Sequence, residues 1–302
     1  MPYITLPTLT GTITSVAWRP QGDVFALTTH QPQADFGDSR ISVWSAQTGG
    51  FIWGNTWGNR SVSDCAWSPD GSRIAVVHSD SFSGASSNRF GTIDWDSETG
   101  TGTVDTSWTN IESLGQGVAW SPLGTRVAAV YTSSPRLSVF DIASKTAETG
   151  WPVLAGAAYG VVWSPDGSRL AVAHAGGSYL TVIDTATKTI EGGWPTLANI
   201  GLGIGWSPDG SRLAVAHSGT PFLTVIDTET QETEPGWPVL VSSGQGVAWS
   251  GDGSRLAVAH GLGNNVTVFN VASKTAEFGW PALPGTGRGV AFAFDPGNVT
   301  SG

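Results

Sequence analysis

The chain has little of the material that helices, disulfides or membrane spans require. Its 302 residues contain one cysteine, one methionine and three lysines, against 41 glycines and 17 prolines. A single cysteine forms no internal disulfide, and without a run of about 18 apolar residues we expect no transmembrane helix. Abundant Gly, Pro, Ser and Thr favour many short strands joined by turns. The composition therefore predicts an all-β protein without membrane insertion.

Basic residues are also scarce, and the formal net charge is -10. No basic stripe is available to displace counterions from a phosphate backbone, so we expect no nucleic-acid partner. The start of the chain, residues 1–7, lacks the basic and apolar segments of a signal peptide, which argues against classical secretion. A protein assembled into a particle in the cytoplasm would still reach the exterior.

One motif, of the Val-Ala-Trp-Ser-Pro type, recurs along the whole chain. From Trp120 onward its aromatic residue returns every 43 residues. The single cysteine, Cys65, occupies a motif position that holds Val or Ile in other repeats, which predicts a buried apolar role. The aromatic positions are Trp18, Trp67, Trp120, Trp163, Trp206, Trp249 and, in the seventh place, Phe292.

Each repeat divides into four short strands, as the fourth repeat illustrates. Residues 160–163 form a first strand, and the Ser-Pro-Asp-Gly step at 164–167 has the residues of a tight hairpin turn. The apolar run 169–174 suits a strand buried on both faces, and 180–184 suits a third strand. A shorter, polar fourth strand ends in Gly-Trp-Pro, where proline fits an outer edge.

Four antiparallel strands recurring at this period resemble the blades of the WD40 family of β-propellers. The resemblance covers nearly the whole chain, which we take as a single domain, residues 1–302. Asp141, Asp184 and Asp227 stand where the family's Trp-Asp pair ends the third strand. The family's Gly-His pair is absent and Gly-x-Gly stands in its place, so its structural hydrogen-bond network is not assumed.

The two ends of the chain bear on the number of blades. Residues 6–9 match an outer strand and residues 289–294 match an inner strand. In a six-bladed ring both would be redundant, whereas in a seven-bladed ring both belong to the last blade. We expect seven four-stranded antiparallel blades, the last incomplete and closed by both termini, with six blades as the alternative. An incomplete blade would invite strand addition by a partner protein or by a neighbouring copy of the chain.

Two insertions interrupt the regular repeat, in the loops between the second and third strands of repeats one and two. Both should project from the same face, and their aromatic and small polar residues suit partner recognition. A calcium site using Asp35, Asp38 and Asp80, or a tolerated surface insertion, is the alternative. The candidate contact residues are Asp35, Phe36, Asp38, Phe82, Asn88, Arg89 and Phe90.

The tryptophans of the motif divide into two sets. Those of the first strand should pack between blades. Those of the Gly-Trp-Pro steps lie near the outer strand, where an indole can stack on a sugar or anchor a protein. These further candidate contact residues are Trp151, Trp194, Trp237 and Trp280.

No pattern of residues predicts catalysis, a metal or a cofactor. Equivalent histidines end the second strands, but the blades should separate them too widely to share one ion, so we expect each ring to bond its own loop. The Gly-x-Gly runs precede strands and so do not match a dinucleotide fingerprint; we interpret them as turns between blades. The histidine set comprises His78, His174, His217 and His260, with Tyr131 in the third repeat.

The near-identical later repeats resemble propellers encoded in bacteriophage and prophage structural regions. That resemblance implies a non-enzymatic virion component, assembled in the host cytoplasm and attached to capsid or tail as scaffold, decoration or host contact. Its partners would be other proteins of the particle. The alternatives are a glycan-binding propeller and a cytoplasmic bacterial interaction scaffold.

Overall fold

The described residues fold into consecutive antiparallel sheets, one for each of the first six repeats. The computed structural model describes residues 13–33, 39–55, 62–78, 90–105, 107–109, 111, 113–261, 266–278 and 289–292. These residues form a β-propeller of six blades, five four-stranded and one three-stranded. The prediction of an all-β propeller of repeated blades is confirmed, and the described sheets number six rather than the expected seven.

Within each blade, neighbouring strands along the chain pair in order. The strands of blades 1 to 3 are β1 (Ile13–Trp18), β2 (Val24–Gln33), β3 (Ser39–Ser45), β4 (Phe51–Asn55); β5 (Val62–Trp67), β6 (Arg73–His78), β7 (Phe90–Asp96), β8 (Thr101–Asp105); β9 (Gly115–Trp120), β10 (Arg126–Tyr131), β11 (Leu137–Asp141), β12 (Thr146–Ala147). Those of blades 4 to 6 are β13 (Ala158–Trp163), β14 (Arg169–His174), β15 (Leu180–Asp184), β16 (Thr189–Ile190); β17 (Gly201–Trp206), β18 (Arg212–His217), β19 (Leu223–Asp227); β20 (Gly244–Trp249), β21 (Arg255–His260), β22 (Val266–Asn270), β23 (Thr275–Ala276).

The turn between the first two strands forms as its sequence predicts. In blade 4 the Gly167 N–H donates to the Ser164 carbonyl at 2.9 Å. Gly167 has a φ of 73°, a conformation that glycine adopts without a Cβ clash. The Ser164 hydroxyl donates to the Asp166 carboxylate at 2.6 Å, which fixes the aspartate over the turn. Ser, Asp and Gly thus each supply one part of the hairpin.

The hydrophobic core lies between the blades. Leu170 and Val172 of blade 4 pack in one cluster with Ala128 and Val139 of blade 3, and Trp163 fills the wedge between the two sheets. Trp163 is 5% exposed, and its Nε1–H donates to the Ala119 carbonyl of blade 3 at 3.2 Å. The prediction that the first-strand tryptophans pack between blades is confirmed for the indole ring of Trp163.

Because consecutive strands run in opposite directions, their connections fall alternately on two faces of the propeller. The two faces differ in charge. The lower face carries the turns between the first and second strands and between the third and fourth. The upper face carries the loops between the second and third strands and the connections from one blade to the next. The lower face is acidic, with carboxylates at Asp70, Asp166, Asp209, Asp252, Asp141, Asp184 and Asp227.

Candidate functional site

The Gly-Trp-Pro tryptophans lie at the outer rim, half-buried at the joints between blades. The ring of Trp151 meets Trp163 of the next blade edge to face, with centroids 6.2 Å apart. Its Nε1–H donates to Glu148 Oε2 at 3.1 Å, and the Lys188 ammonium lies 5.5 Å from the ring centroid. Trp194 repeats this arrangement on Trp206 and Glu191.

Trp237 follows the same plan, with Phe269 in contact and its Nε1–H donated to Glu234 at 3.3 Å. Trp280 lies outside the described residues. The three described indole rings therefore pack between adjacent blades at the rim, and each donates a hydrogen bond to a glutamate of its own blade. Their predicted role in contacting a sugar or a protein remains a prediction.

A charged joint between blades accompanies Trp151. Arg126 Nε lies 2.7 Å from Glu148 Oε1 within blade 3, and Lys188 Nζ of blade 4 lies 2.9 Å from Glu148 Oε2. Burial acts to raise the pKa of Glu148, but the hydrogen bonds from Lys188 and Trp151 outweigh it and lower the pKa. The lysine thus connects one blade to the preceding one at the rim.

The same joint recurs between blades 2 and 3 and between blades 5 and 6. Lys145 reaches Asp105 of blade 2 at 2.6 Å, and Lys274 reaches Glu234 of blade 5 at 3.1 Å. Between blades 4 and 5 the position holds Gln231. With its amide oriented to satisfy both partners, Gln231 donates to the Gly192 carbonyl and accepts from Trp194 Nε1. That joint therefore has no inter-blade ion pair at the lysine position.

Among the candidate contact residues of the two insertions, the structure describes the position of Phe90. Phe90 is the first residue of β7 and is 1% exposed. Its ring stacks on Phe140 of blade 3 at 4.4 Å and meets Trp108 edge to face at 5.1 Å. The expectation of a loop contact at Phe90 is corrected, because the strand begins at this residue and turns its ring into the core. Asp35, Phe36, Asp38, Asp80, Phe82, Asn88 and Arg89 lie outside the described residues.

Each described histidine interaction lies within a single blade. His174 Nδ1 accepts from the Gly176 N–H at 3.2 Å, so Nε2 carries the proton and donates to Thr181 Oγ1 at 2.8 Å. Burial lowers the pKa of His174 and favours this neutral ring. His217 contacts Thr224 in the same way at 2.9 Å.

His260 pairs with Thr267 at 2.9 Å, and in blade 3 the Tyr131 hydroxyl takes the same role toward Ser138 at 2.7 Å. The prediction that each ring bonds its own loop is confirmed for His174, whose Nδ1 accepts from Gly176 in the loop after β14. Among the described residues, no three His, Cys, Asp or Glu side chains are grouped so as to hold a metal ion.

Three of the Gly-x-Gly runs, 115–117, 201–205 and 244–246, lie inside the innermost strands β9, β17 and β20, so their interpretation as turns between blades is wrong. A Cβ built on Gly117 would lie 2.7 Å from the Tyr159 carbonyl oxygen of the next blade. One on Gly203 would lie 2.7 Å from the Gln245 carbonyl oxygen. Glycine is required here because neighbouring inner strands approach backbone to backbone.

Asp64 occupies this inner-strand position in blade 2, and the sequence analysis did not single it out. Its Oδ2 accepts from the Val118 N–H of blade 3 at 3.0 Å, and its Oδ1 accepts from the Cys65 N–H at 2.9 Å. Burial raises the pKa of Asp64 to about 6, against the hydrogen bonds led by that from Ser15. The feature of the sequence that could have identified this residue is an aspartate at a position where other repeats hold glycine or serine.

Cys65 is buried, with 4% of its surface exposed, as the Val or Ile at the equivalent position of other repeats predicts. A cleft of about 180 Å³ opens on the lower face between blades 4 and 5, lined by Asp166, Arg169 and Trp206 among others. Within the described ranges, no helix has the length and apolar character needed to cross a bilayer.

These features define the class of protein as a β-propeller scaffold with repeated, mostly four-stranded blades. Neither a scan against protein-family models nor a search of curated proteins found a match to the chain.

Proposed function

We propose that the protein is a non-enzymatic propeller scaffold that serves as one component of a larger assembly. The observation that carries this proposal is the use of the recurring polar side chains in holding each blade and the joints between blades together. His174 bonds Thr181, Glu148 bonds Lys188, and Asp166 bonds Ser164. Polar groups engaged in this way stabilise a rigid platform and are not poised for proton transfer to a substrate.

We further infer that the propeller ring has room for seven blades. In adjacent blades, each inner-strand glycine faces the carbonyl oxygen one residue before its equivalent: Gly160 faces Leu202 O, for example. A Cβ on Gly289 would lie 3.4 Å from Ser15 Cα and 3.5 Å from Thr14 O, which is the same relation. Gly289–Phe292 then supplies the inner strand of the blade that precedes blade 1.

The remaining strands of this seventh blade would come from parts of the chain outside the described residues or from another protein. Exposed backbone N–H and C=O groups at a strand edge accept an added strand from a partner. The seventh blade is therefore our proposed site of attachment by strand addition.

Cysteine pairs distinguish seven positions from six. In a Cys65→Val background, Ser15→Cys with Gly289→Cys should form a disulfide if residue 289 lies beside β1. Ser15→Cys with Gly246→Cys is the matched alternative, because in a closed six-bladed ring β20 would lie beside β1. Oxidation is read by non-reducing electrophoresis and peptide mass spectrometry. Cross-linking of the 15–246 pair and not the 15–289 pair would refute the seven-position ring.

The assembly we propose is a virion of the bacteriophage type, on the resemblance of the WD40-like repeats to propellers of phage structural regions. Mass spectrometry and electron microscopy of particles from the native source test it. A stoichiometric copy number in purified particles supports a virion component. Recovery of the chain free of particles, with one stoichiometric cellular partner, would overturn the virion assignment in favour of a cytoplasmic scaffold.

A further inference from the structure

The cleft on the lower face between blades 4 and 5 has a counterpart between blades 1 and 2, which a side chain of the protein itself fills. Arg19 stands at the repeat position that Ser164 holds in blade 4. Its guanidinium carbon lies 5.9 Å from the ring centroid of Trp67 in blade 2, and its Nε–H donates to the Gly71 carbonyl at 2.9 Å. Arg19 is 9% exposed. This joint therefore holds a guanidinium group between its two blades.

The Arg19 guanidinium is paired as well as buried. Its Nη1 lies 2.7 Å from Asp23 Oδ2 in the same turn. A guanidinium over an indole, bonded to a carbonyl and to a carboxylate, has the partners that a partly desolvated cation requires. These contacts show, within this protein, which chemistry the space between two lower-face turns accommodates.

Between blades 4 and 5 the same repeat positions surround the cleft of about 180 Å³. The tryptophan and the glycine of the guanidinium joint recur here as Trp206 and Gly210, and both line the cleft. Ser164, at the arginine position, is too short to cross the joint, and its hydroxyl donates to Asp166 at 2.6 Å. The cleft thus has the indole and the carbonyl of a guanidinium site, with a serine at the position of the arginine.

Carboxylates from both blades line the cleft, Asp166 from blade 4 and Asp209 from blade 5. The hydrogen bond from the Ser164 hydroxyl lowers the pKa of Asp166, and that from the Ser207 hydroxyl lowers the pKa of Asp209, so both groups are ionised at neutral pH. Leu123 takes one of these two positions in both joints of blade 3. An ionised carboxylate accepts several hydrogen bonds, so each aspartate retains acceptor capacity beyond its own turn. The cleft is therefore suited to a cationic hydrogen-bond donor.

The balance of charge also distinguishes the joint between blades 4 and 5 from its neighbours. Arg169, which lines the cleft, shares its Nε–H between both carboxylate oxygens of Glu191, at 3.0 and 3.1 Å. Lys188 and Lys274 add a positive charge to the joints between blades 3 and 4 and between blades 5 and 6. Gln231 stands at the lysine position here. The joint between blades 5 and 6 also has two aspartates, but its lysine makes it less negative.

The indole of Trp206 shows that blades 4 and 5 are joined by fewer bonds. Trp163 and Trp249 donate their Nε1–H to a carbonyl of the preceding blade, at 3.2 and 3.0 Å. The buried Nε1 of Trp206 has no partner among the described residues. Val162, at a position that holds alanine or glycine in the other repeats, packs its larger side chain against the same cluster as Trp206. With neither this bond nor a lysine ion pair, the joint has less to rearrange when a ligand enters the cleft.

We propose that the cleft between blades 4 and 5 binds the guanidinium group of an arginine side chain presented by a partner protein. The group lies against the Trp206 indole and donates to the carboxylates of Asp166 and Asp209, as Arg19 fills its own joint. A basic segment of a partner is attracted to the acidic lower face, which steers the arginine toward the cleft. This inference rests on the proposed scaffold function, names the chemistry that holds a partner, and does not depend on the virion assignment.

Isothermal titration calorimetry of the full chain with N-acetyl-arginine amide tests the site. The citrulline analogue has nearly the same shape without the charge, and we expect it not to bind. N-acetyl-arginine with a free carboxylate should bind more weakly than the amide, because the acidic lower face repels the carboxylate. Tighter binding of the free acid would overturn a partner protein as the source of the arginine. Equal binding of the citrulline and arginine amides, or no binding of the arginine amide, would overturn the guanidinium site.

Variants locate the binding in the cleft. Asp166→Asn with Asp209→Asn should weaken binding of the arginine amide by about tenfold or more, since it removes both charged acceptors. The matched control, Asp70→Asn with Asp141→Asn, removes the same charge from the lower face outside the cleft and should leave binding within about twofold. An equal loss in the two double variants would mean that the face attracts arginine without a site.

A filling variant supplies an independent test. Ser164→Arg places in blade 4 the residue that Arg19 supplies in blade 1, so its side chain should fill the cleft and abolish binding of the arginine amide. Circular dichroism verifies that each variant retains the fold. Binding that persists unchanged in a folded Ser164→Arg protein overturns the proposal. Particle composition is measured separately, so failure of the cleft as a site and failure of the proposed assembly are distinguishable.

Discussion

Gly160 lies directly against Leu202 of the next blade, and a Cβ added to it would stand 2.6 Å from the Leu202 carbonyl oxygen. Both residues belong to innermost strands, β13 and β17. The atom in the way is backbone, so no side-chain rotation relieves the contact. The spacing of the blades around the axis therefore depends on the absence of a side chain at this position.

Gly160→Ala should lower the free energy of unfolding by about 1–3 kcal/mol, because the two inner strands must move apart to admit the methyl group. Urea titration followed by tryptophan fluorescence measures the change. The control is Gly192→Ala, where an added Cβ meets nothing within 4 Å. Equal stability of the two variants would show that the inner strands are not packed as tightly as described.

The sequence contains enough to predict a blade but not the joint between blades. The turn at Ser164–Gly167, the histidine bond of His174 to its own blade and the wedge position of Trp163 are local or periodic features. Each follows from residue types at fixed offsets within one repeat. These parts of the fold were predictable for that reason.

The inter-blade contacts were not predictable because they depend on distances between repeats. The described Gly-x-Gly runs have the composition of turns, and the close approach of neighbouring inner strands explains why they lie inside strands. Lys188 stands in a turn with a φ of 58°, and no local pattern indicates that its ammonium reaches Glu148 of the preceding blade. Phe90 follows a polar insertion and resembles a loop residue until the strand is seen to begin there.

Gln231→Lys should stabilise the protein. Gln231 has a φ of 60°, close to the 58° of Lys188 and the 56° of Lys274, so a lysine fits the same backbone. Its ammonium would reach Glu191 across the joint between blades 4 and 5, as its counterparts do elsewhere. We expect a gain of about 0.5 kcal/mol that shrinks in high salt.

The reverse substitution is the control for that gain. Lys188→Gln removes the ion pair with Glu148 and should cost a similar amount, measured by the same thermal and urea unfolding. If both substitutions changed the free energy of unfolding in the same direction, the inter-blade ion pair would not be the source of the effect.

Thr181→Val should lower stability by about 1–3 kcal/mol, because it leaves the buried Nε2–H of His174 without its acceptor while keeping the side-chain shape. The comparison variant is Thr103→Val, at an exposed outer-strand residue. Its stability should change little. Proton NMR of the His174 ring supplies an independent readout, since loss of the bond exposes its Nε2–H to exchange.

Asp64→Asn should change how stability depends on pH. Burial raises the pKa of Asp64 to about 6 in the folded protein, above the ordinary value of 3.8. Between these values the folded state binds the proton more tightly than the unfolded state, so this group favours folding at low pH. Its contribution declines as pH rises from about 4 through 6 and is constant above that range. The total change is up to about 3 kcal/mol.

The histidines titrate in the same range with the opposite sign, so the wild-type curve alone does not isolate Asp64. Burial lowers the pKa of His174 and His217 below 6.5, and the stability of their neutral forms is lost as pH falls through that range. Asp64→Asn keeps these histidines and removes only the carboxyl titration. The difference in unfolding free energy between wild type and variant should therefore fall with rising pH between about 4 and 6 and stay level above it. A difference that is flat across this interval would mean that the Asp64 carboxyl titrates alike in the folded and unfolded protein, and that its bond to the Val118 N–H is not made in a buried site.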